Sequence, residues 1–407
     1  MKRRRILFVA EAVTLAHVVR LVTLARSLEP SSHEILFATD PRYDGVIGTL
    51  PFPVDRIRTI TSERFFRALT HGTPIYGAAD FRSYVEEDLK LLGRYRPDAV
   101  VGDFRLSLAV SARIARIPYI NVSNAYWSPY AKLRHVVPEI TLVRLLGLRG
   151  ARILFDRFRP AAYAVHVVPV NRVRRQFGFA PYPSDFRYAI ADDDVTLYCD
   201  VPEMIEIAPL PASHSFCGPI PWSPSVALPD WWAEVSTNAQ RERIVYVTLG
   251  SSGPPAIFAK VLDALAPARV TVIAASVRSV DRARLAGNTY VAHLLPGDAA
   301  AQLAALVVCN GGSPTSYQAL AAGRPVIGVA TNTDQFLNMA AVEDAGCGKL
   351  LRAYHSSPAQ IRDAVLHALE DPALADRAAA MRQSIARYSP ATIFRTALDR
   401  TIASGTA

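Results

Sequence analysis

The chain has 407 residues, 50% hydrophobic and 20% charged, a globular composition too long for one comfortable core, so two domains are expected. Its 4 cysteines, Cys199, Cys217, Cys309 and Cys347, share no CxxC spacing, which argues against a disulfide framework or a zinc site and fits a reducing, cytoplasmic setting. Much of the net charge of +9 lies between Lys132 and Arg175, which reads first as a solvated helical face and second as a contact for an anionic membrane or an acidic acceptor; without interleaved aromatics it is no nucleic-acid platform.

Met1–Arg5 and the apolar run Ile6–Ala10 resemble the start of a signal peptide, but Glu11 ends the run, so Ile6–Ala10 reads as a first strand. His17–Leu28 is helical, with Val18, Leu21, Val22, Ala25 and Leu28 on one stripe. Strands are expected at Glu34–Ala38, Ala99–Val101 and Tyr119–Val122, and helices at Phe81–Arg94 and Leu106–Arg116. This alternation implies a parallel sheet covered on both faces. Prolines then break every pattern from Pro209 to Asn238, which marks an interdomain linker.

Alternation restarts with strands at Ile244–Thr248, Val270–Ala274, Tyr290–His293, Leu306–Cys309 and Val326–Val329. Helices fall at Pro255–Leu265, Ala299–Ala305 and Thr315–Ala322, and the tail is helical from Pro358 to about Ile402. The expected division is an acceptor-binding domain over 1–220, a second domain over 221–385 and a helical tail over 386–407 that returns to the first. Open α/β sheets bind ligands beyond the carboxyl ends of their strands, so a cleft between two such domains is the expected site. No apolar stretch reaches the ~18–20 residues of a membrane span.

The loop after Cys309 carries the clearest chemistry. Gly311 and Gly312 let backbone approach a ligand, Ser313 suits an N-cap, and Pro314 suits the first helical position. A helix start offers N–H donors and partial positive charge to a phosphate, and Thr315 and Ser316 add hydroxyls. The P-loop lysine is missing, and such a turn alone is a weak signal. Two further polar loops, Leu249-Gly250-Ser251-Ser252 and Thr333-Asp334-Gln335-Phe336-Leu337-Asn338, follow neighbouring strands.

As a set, Leu249-Gly250-Ser251-Ser252, Leu294-Leu295-Pro296, Asn310-Gly311-Gly312 with its helix, and Asp334-Gln335 resemble the nucleotide-sugar half of the family 1 (UDP-glycosyltransferase-like) GT-B glycosyltransferases of bacterial natural-product type. The resemblance implies an α/β GT-B fold, two Rossmann-like doubly wound domains facing across a cleft. It implies inverting, metal-independent transfer of a hexose from a UDP- or dTDP-sugar to a small-molecule or lipid-linked hydroxyl. The nucleotide sugar would be a co-substrate, and no cofactor is expected. Gly250, Ser251, Ser252, Gly311, Gly312, Ser313, Thr315 and Ser316 would surround the diphosphate, and Asp334 and Gln335 would hold sugar hydroxyls. His17 and Asp103 match the family's base and its partner. A neutral imidazole can take the proton of an attacking hydroxyl, and a carboxylate behind it fixes the tautomer.

Three positions depart from the pattern. Asn310 replaces the histidine on the diphosphate, Gln318 replaces an acidic residue on the ribose, and Leu294 stands near the stacking aromatic. Gln318 would suit a deoxyribose nucleotide. Rival readings are a nucleotide-sugar epimerase, a lipid-acceptor transferase, and a GT-B partner protein weakened by the two amides. Asp192-Asp193-Asp194 mimics a metal-binding DxD but precedes a strand, and reads as a solvated turn.

Overall fold

Apolar runs and helical stripes in the first half produce a seven-stranded sheet. A computed structural model of the chain describes residues 3–191, 194–238, 243–250, 253–277 and 285–405. The first sheet contains β1 (Arg4–Ala10), β2 (His33–Thr39), β3 (Val54–Arg56), β4 (Ala99–Asp103), β5 (Tyr119–Ser123), β6 (Val195–Tyr198) and β7 (His214–Phe216). Their order is β3-β2-β1-β4-β5-β6-β7, and every pairing is parallel. Strands buried on both faces need continuous apolar sequence. Ile6, Phe8 and Ala10 face a core with Val18, Leu21 and Phe394, while Leu7 and Val9 face another with Leu92 and Leu108.

The second sheet contains β8 (Ile244–Thr248), β9 (Thr271–Ala275), β10 (Thr289–Ala292), β11 (Leu306–Cys309), β12 (Val326–Ala330) and β13 (Gly348–Arg352). Its order is β10-β9-β8-β11-β12-β13, again wholly parallel. In both sheets the progression of strand order reverses once, between β1 and β4 and between β8 and β11. Those are the switch points where doubly wound sheets bind ligands.

Two compact units result: Met1–Lys132, Ile140–Ile220 and Tyr388–Ala407 form the first, and Leu133–Glu139 with Pro221–Arg387 form the second. The C-terminal helix Pro390–Gly405 belongs to the first, with Phe394 wholly buried and 6.0 Å from the Phe8 ring. Leu133–Glu139 belongs to the second because Arg134 pairs with Glu343 at 2.6 Å and Asp344 at 3.0 Å, and His355 bonds Glu139 at 3.0 Å.

Four local features differ from the sequence expectation. The proline-rich stretch holds β7, a three-residue edge strand, where flanking prolines cost no ladder bond. Thr333–Asn338 is the start of the helix Thr333–Asp344, capped by Asn332, and not a loop. Its residues from Gln335 to Val342 are all buried, so it carries no polar face for periodicity to reveal. Ser313 is the first residue of the helix Ser313–Ala321, and Gly312 is its N-cap. The helix Thr141–Gln176 breaks at Gly147 and contains Pro160 and Pro169. Asp192 and Asp193 lie outside the described residues; Asp194 accepts a hydrogen bond from the Tyr119 backbone at 3.1 Å.

Candidate active site

β1 ends at Ala10 directly opposite Asp103, the last residue of β4. His17 lies in the first turn of the helix Leu15–Arg26, so the switch point brings imidazole and carboxylate together. His17 Nδ1 stands 2.6 Å from Asp103 Oδ1. Arg20 Nε and Nη2 donate to the two Asp103 oxygens at 2.8 and 2.9 Å. Both Asp103 oxygens accept from Arg20, so His17 Nδ1 is the donor in the contact with Oδ1. The His17 side chain is 15% exposed and that of Asp103 only 1%.

The loop after Asp103 fixes the ring. Phe104 adopts φ 57° and stacks on His17 with centroids 5.0 Å apart and planes at 16°. Phe65 meets Phe104 edge-on at 5.7 Å. A non-glycine residue there costs about 1–3 kcal/mol and persists only when neighbours hold it. Arg105, wholly buried, is the anchor: it donates to Asp88 at 3.0 Å, Glu11 at 3.1 Å and Glu87 at 2.7 Å. Burial pushes the Glu11 carboxyl up to about 7 against the pull of Arg105. Sequence reasoning missed this cluster and Arg20 because their sequence separations, 17 to 94 residues, carry no local pattern.

In the second unit Gly250 follows β8 at φ 60°, and the Asn310 loop follows β11. Asn310 Oδ1 accepts from the Gly312 backbone at 3.1 Å, closing the turn. Its Nδ2 lies 3.6 Å from where a Cβ on Gly250 would stand, so the two loops meet at the second switch point. Gly311 has φ 81°. Asn338, also missed as a site residue, donates to the Gly311 carbonyl at 2.8 Å and to Ser316 Oγ at 3.0 Å. The helix Ser313–Ala321 starts directly beyond this turn, so its positive end lies at the same switch point.

The other expected donor residues divide. Ser316 is wholly buried and its hydroxyl donates to Gly312 O at 3.1 Å, so it braces the turn. Gln335 is buried, its Oε1 accepting from Thr331 at 2.8 and 2.9 Å. Asp334 is half-buried one residue earlier. Gln318 Nε2 donates to the Trp222 carbonyl at 2.6 Å, so its amide is engaged with the linker. Leu294 lies half-buried between β10 and the helix Gly297–Leu303. Ser251 and Ser252 lie outside the described residues.

Two parallel doubly wound sheets in series, each with a polar loop at its switch point, make the GT-B architecture. The erythromycin biosynthesis protein CIII-like C-terminal domain family matches residues 259–398. The chain is 48% identical over 386 residues, 95% of its length and 85% of the relative's, to a PGL/p-HBAD biosynthesis rhamnosyltransferase of Mycobacterium bovis (strain BCG / Pasteur 1173P2). It is 48% identical over 351 residues, 86% of its length and 81% of the relative's, to a PGL/p-HBAD biosynthesis glycosyltransferase of Mycobacterium tuberculosis (strain ATCC 25177 / H37Ra). The spinosyn rhamnosyltransferase SpnG complexed with thymidine diphosphate has the same fold, with TM-score 0.68 and 20% identity over 96% of this chain and 99% of that one. The chain belongs to the family 1 GT-B glycosyltransferases of natural-product type, and it is a glycosyltransferase.

Proposed function

We propose that the chain moves a hexose, with inversion and without a metal ion, from a UDP- or dTDP-sugar to an acceptor hydroxyl. The observation that carries this reading is the 2.6 Å contact between His17 Nδ1 and Asp103 Oδ1. His17 Nε2 takes the proton of the acceptor hydroxyl as its oxygen bonds to the anomeric carbon. The bond from that carbon to the diphosphate breaks, and its electron pair leaves on the phosphate oxygen. Asp103 stabilises the resulting imidazolium. The positive end of the helix Ser313–Ala321 would stabilise the leaving diphosphate, and the Gly311–Gly312 turn, without side chains, would let it approach. Asn310 brings a neutral donor where a charged one would add about 1 kcal/mol. A deoxyribose donor is favoured by the thymidine diphosphate in SpnG, and rhamnose by the name of the mycobacterial relative. The test is turnover with a panel of UDP- and dTDP-hexoses and a natural extract, products read by mass spectrometry and anomeric NMR. Mass gain with inverted configuration is expected; retained configuration sinks the one-step mechanism.

A specific surface favours a lipid-linked acceptor at an anionic membrane. The helix Thr141–Gln176 exposes Leu145 at 75%, Ile153 at 73% and Phe158 at 59%. Arg149, Arg152, Arg157, Arg172 and Arg175 are exposed beside them, and none forms an ion pair among the described residues. Apolar side chains flanked by an excess of cations, with Asp156 the one acid on this helix, match a headgroup boundary. No helix of the described residues is long and apolar enough to cross a membrane. The chain is expected to sediment with phosphatidylglycerol vesicles at low salt and not with phosphatidylcholine, and Ile153→Glu with Phe158→Glu should weaken this about tenfold or more. Equal partition onto both vesicle types, or none, contradicts the reading.

A further inference from the structure

Arg20 follows His17 by one helical turn, and only 5% of it is exposed. Besides chelating Asp103, it donates through Nη1 to Asn124 Oδ1 at 2.6 Å. Asn124 Nδ2 in turn bonds both oxygens of the buried Asp200, at 3.2 and 3.3 Å. Asp200 also accepts from the Ala125 backbone at 2.5 Å. Arg20 Nη2 lies 3.0 Å from His17 Nδ1. Burial works against the charge on Arg20, and Asp103 outweighs it, so the guanidinium stays above the usual arginine range.

The titratable groups around this centre come from every packed element. Asp103 comes from β4, Tyr126 from the turn after β5, and Cys199 and Asp200 from the end of β6, with Cys217 behind Cys199. Among these groups Arg20 is the permanent cation. A lone carboxylate behind an imidazole would favour the charged ring, which cannot accept a proton from a hydroxyl. A guanidinium 3.0 Å away disfavours that charge, and its planar fork also fixes the plane of the carboxylate. A histidine and an aspartate need no arginine to meet, so the fork adds control over charge to an orientation already made.

We infer that Arg20 is a positioning residue whose fork holds the Asp103 carboxylate in plane and whose charge, 3.0 Å from the ring, acts against an imidazolium at His17. The inference rests on the reading of His17 as the base, but its test does not need transfer activity. The full chain, labelled with 15N-histidine, is titrated by NMR, and the His17 signals are assigned by their loss in His17→Gln. Arg20→Gln removes the charge and keeps a hydrogen-bonding side chain; Arg20→Lys keeps the charge and loses the fork. The His17 titration midpoint should rise by about one to two pH units in Arg20→Gln. In Arg20→Lys it should stay within about half a unit of the parent, because the charge remains. An unmoved midpoint in Arg20→Gln, with the fold intact by circular dichroism, overturns the inference. So does a rise of about one pH unit or more in Arg20→Lys, which overturns the inference whether or not the glutamine variant folds. Full transfer by His17→Ala would refute the base assignment alone and leave this result standing.

Discussion

His17→Ala is expected to lower kcat by about 10²–10⁴-fold, the share general-base catalysis supplies. The substitution leaves Gly250, Asn310 and the helix Ser313–Ala321 untouched, so affinity for a nucleoside diphosphate should not change. The loss should persist at saturating acceptor, because proton removal belongs to the transition state. Steady-state kinetics with parallel donor titration checks both points. His17 stacks on Phe104, which is held at φ 57°, so an unfolding curve on the same sample separates lost chemistry from a loosened loop. Undiminished transfer with donor binding intact would mean that another group takes the proton.

The second large effect is expected at Gly311. At φ 81° an alanine is conformationally strained, and its Cβ would stand 2.6 Å from Met339 Cγ in a buried helix. The left-handed backbone costs about 1–2 kcal/mol, and overpacking adds about 1–3. Gly311→Ala should therefore lose about 2–5 kcal/mol in urea unfolding and bind a nucleoside diphosphate more weakly. Gly45→Ala is the control: its added Cβ meets nothing within 4 Å, so stability should change by less than about 0.5 kcal/mol. Equal curves for the parent and Gly311→Ala would show that the turn tolerates a side chain.

Much of this architecture is legible in the sequence because two-sided burial writes itself as apolar runs. Ile244–Thr248 and Leu306–Cys309 end where the alternation says they do, since each strand stops at a polar turn. The helix Thr333–Asp344 escapes because burial on all sides leaves it no stripe. β7 escapes because three residues between prolines carry no period. The site shows the same division. Glycines in a turn are a local signal, so Gly311 and Gly312 stand out from the sequence, while His17 is singled out by the resemblance to the family. Arg20, Arg105 and Asn338 act through partners 17 to 104 residues away, and only the fold brings them together. Gln318 shows the limit of reading by position alone, because its amide bonds the Trp222 carbonyl, a contact no motif records.

The central claim is that the loop from Asn310 to Ser316 holds the diphosphate of a nucleotide sugar. Calorimetric titration of the full chain with dTDP, UDP and GDP tests it most directly. The account predicts one binding event with dTDP or UDP, weakened in Gly311→Ala and unchanged in His17→Ala. No heat with any of the three nucleotides would contradict it.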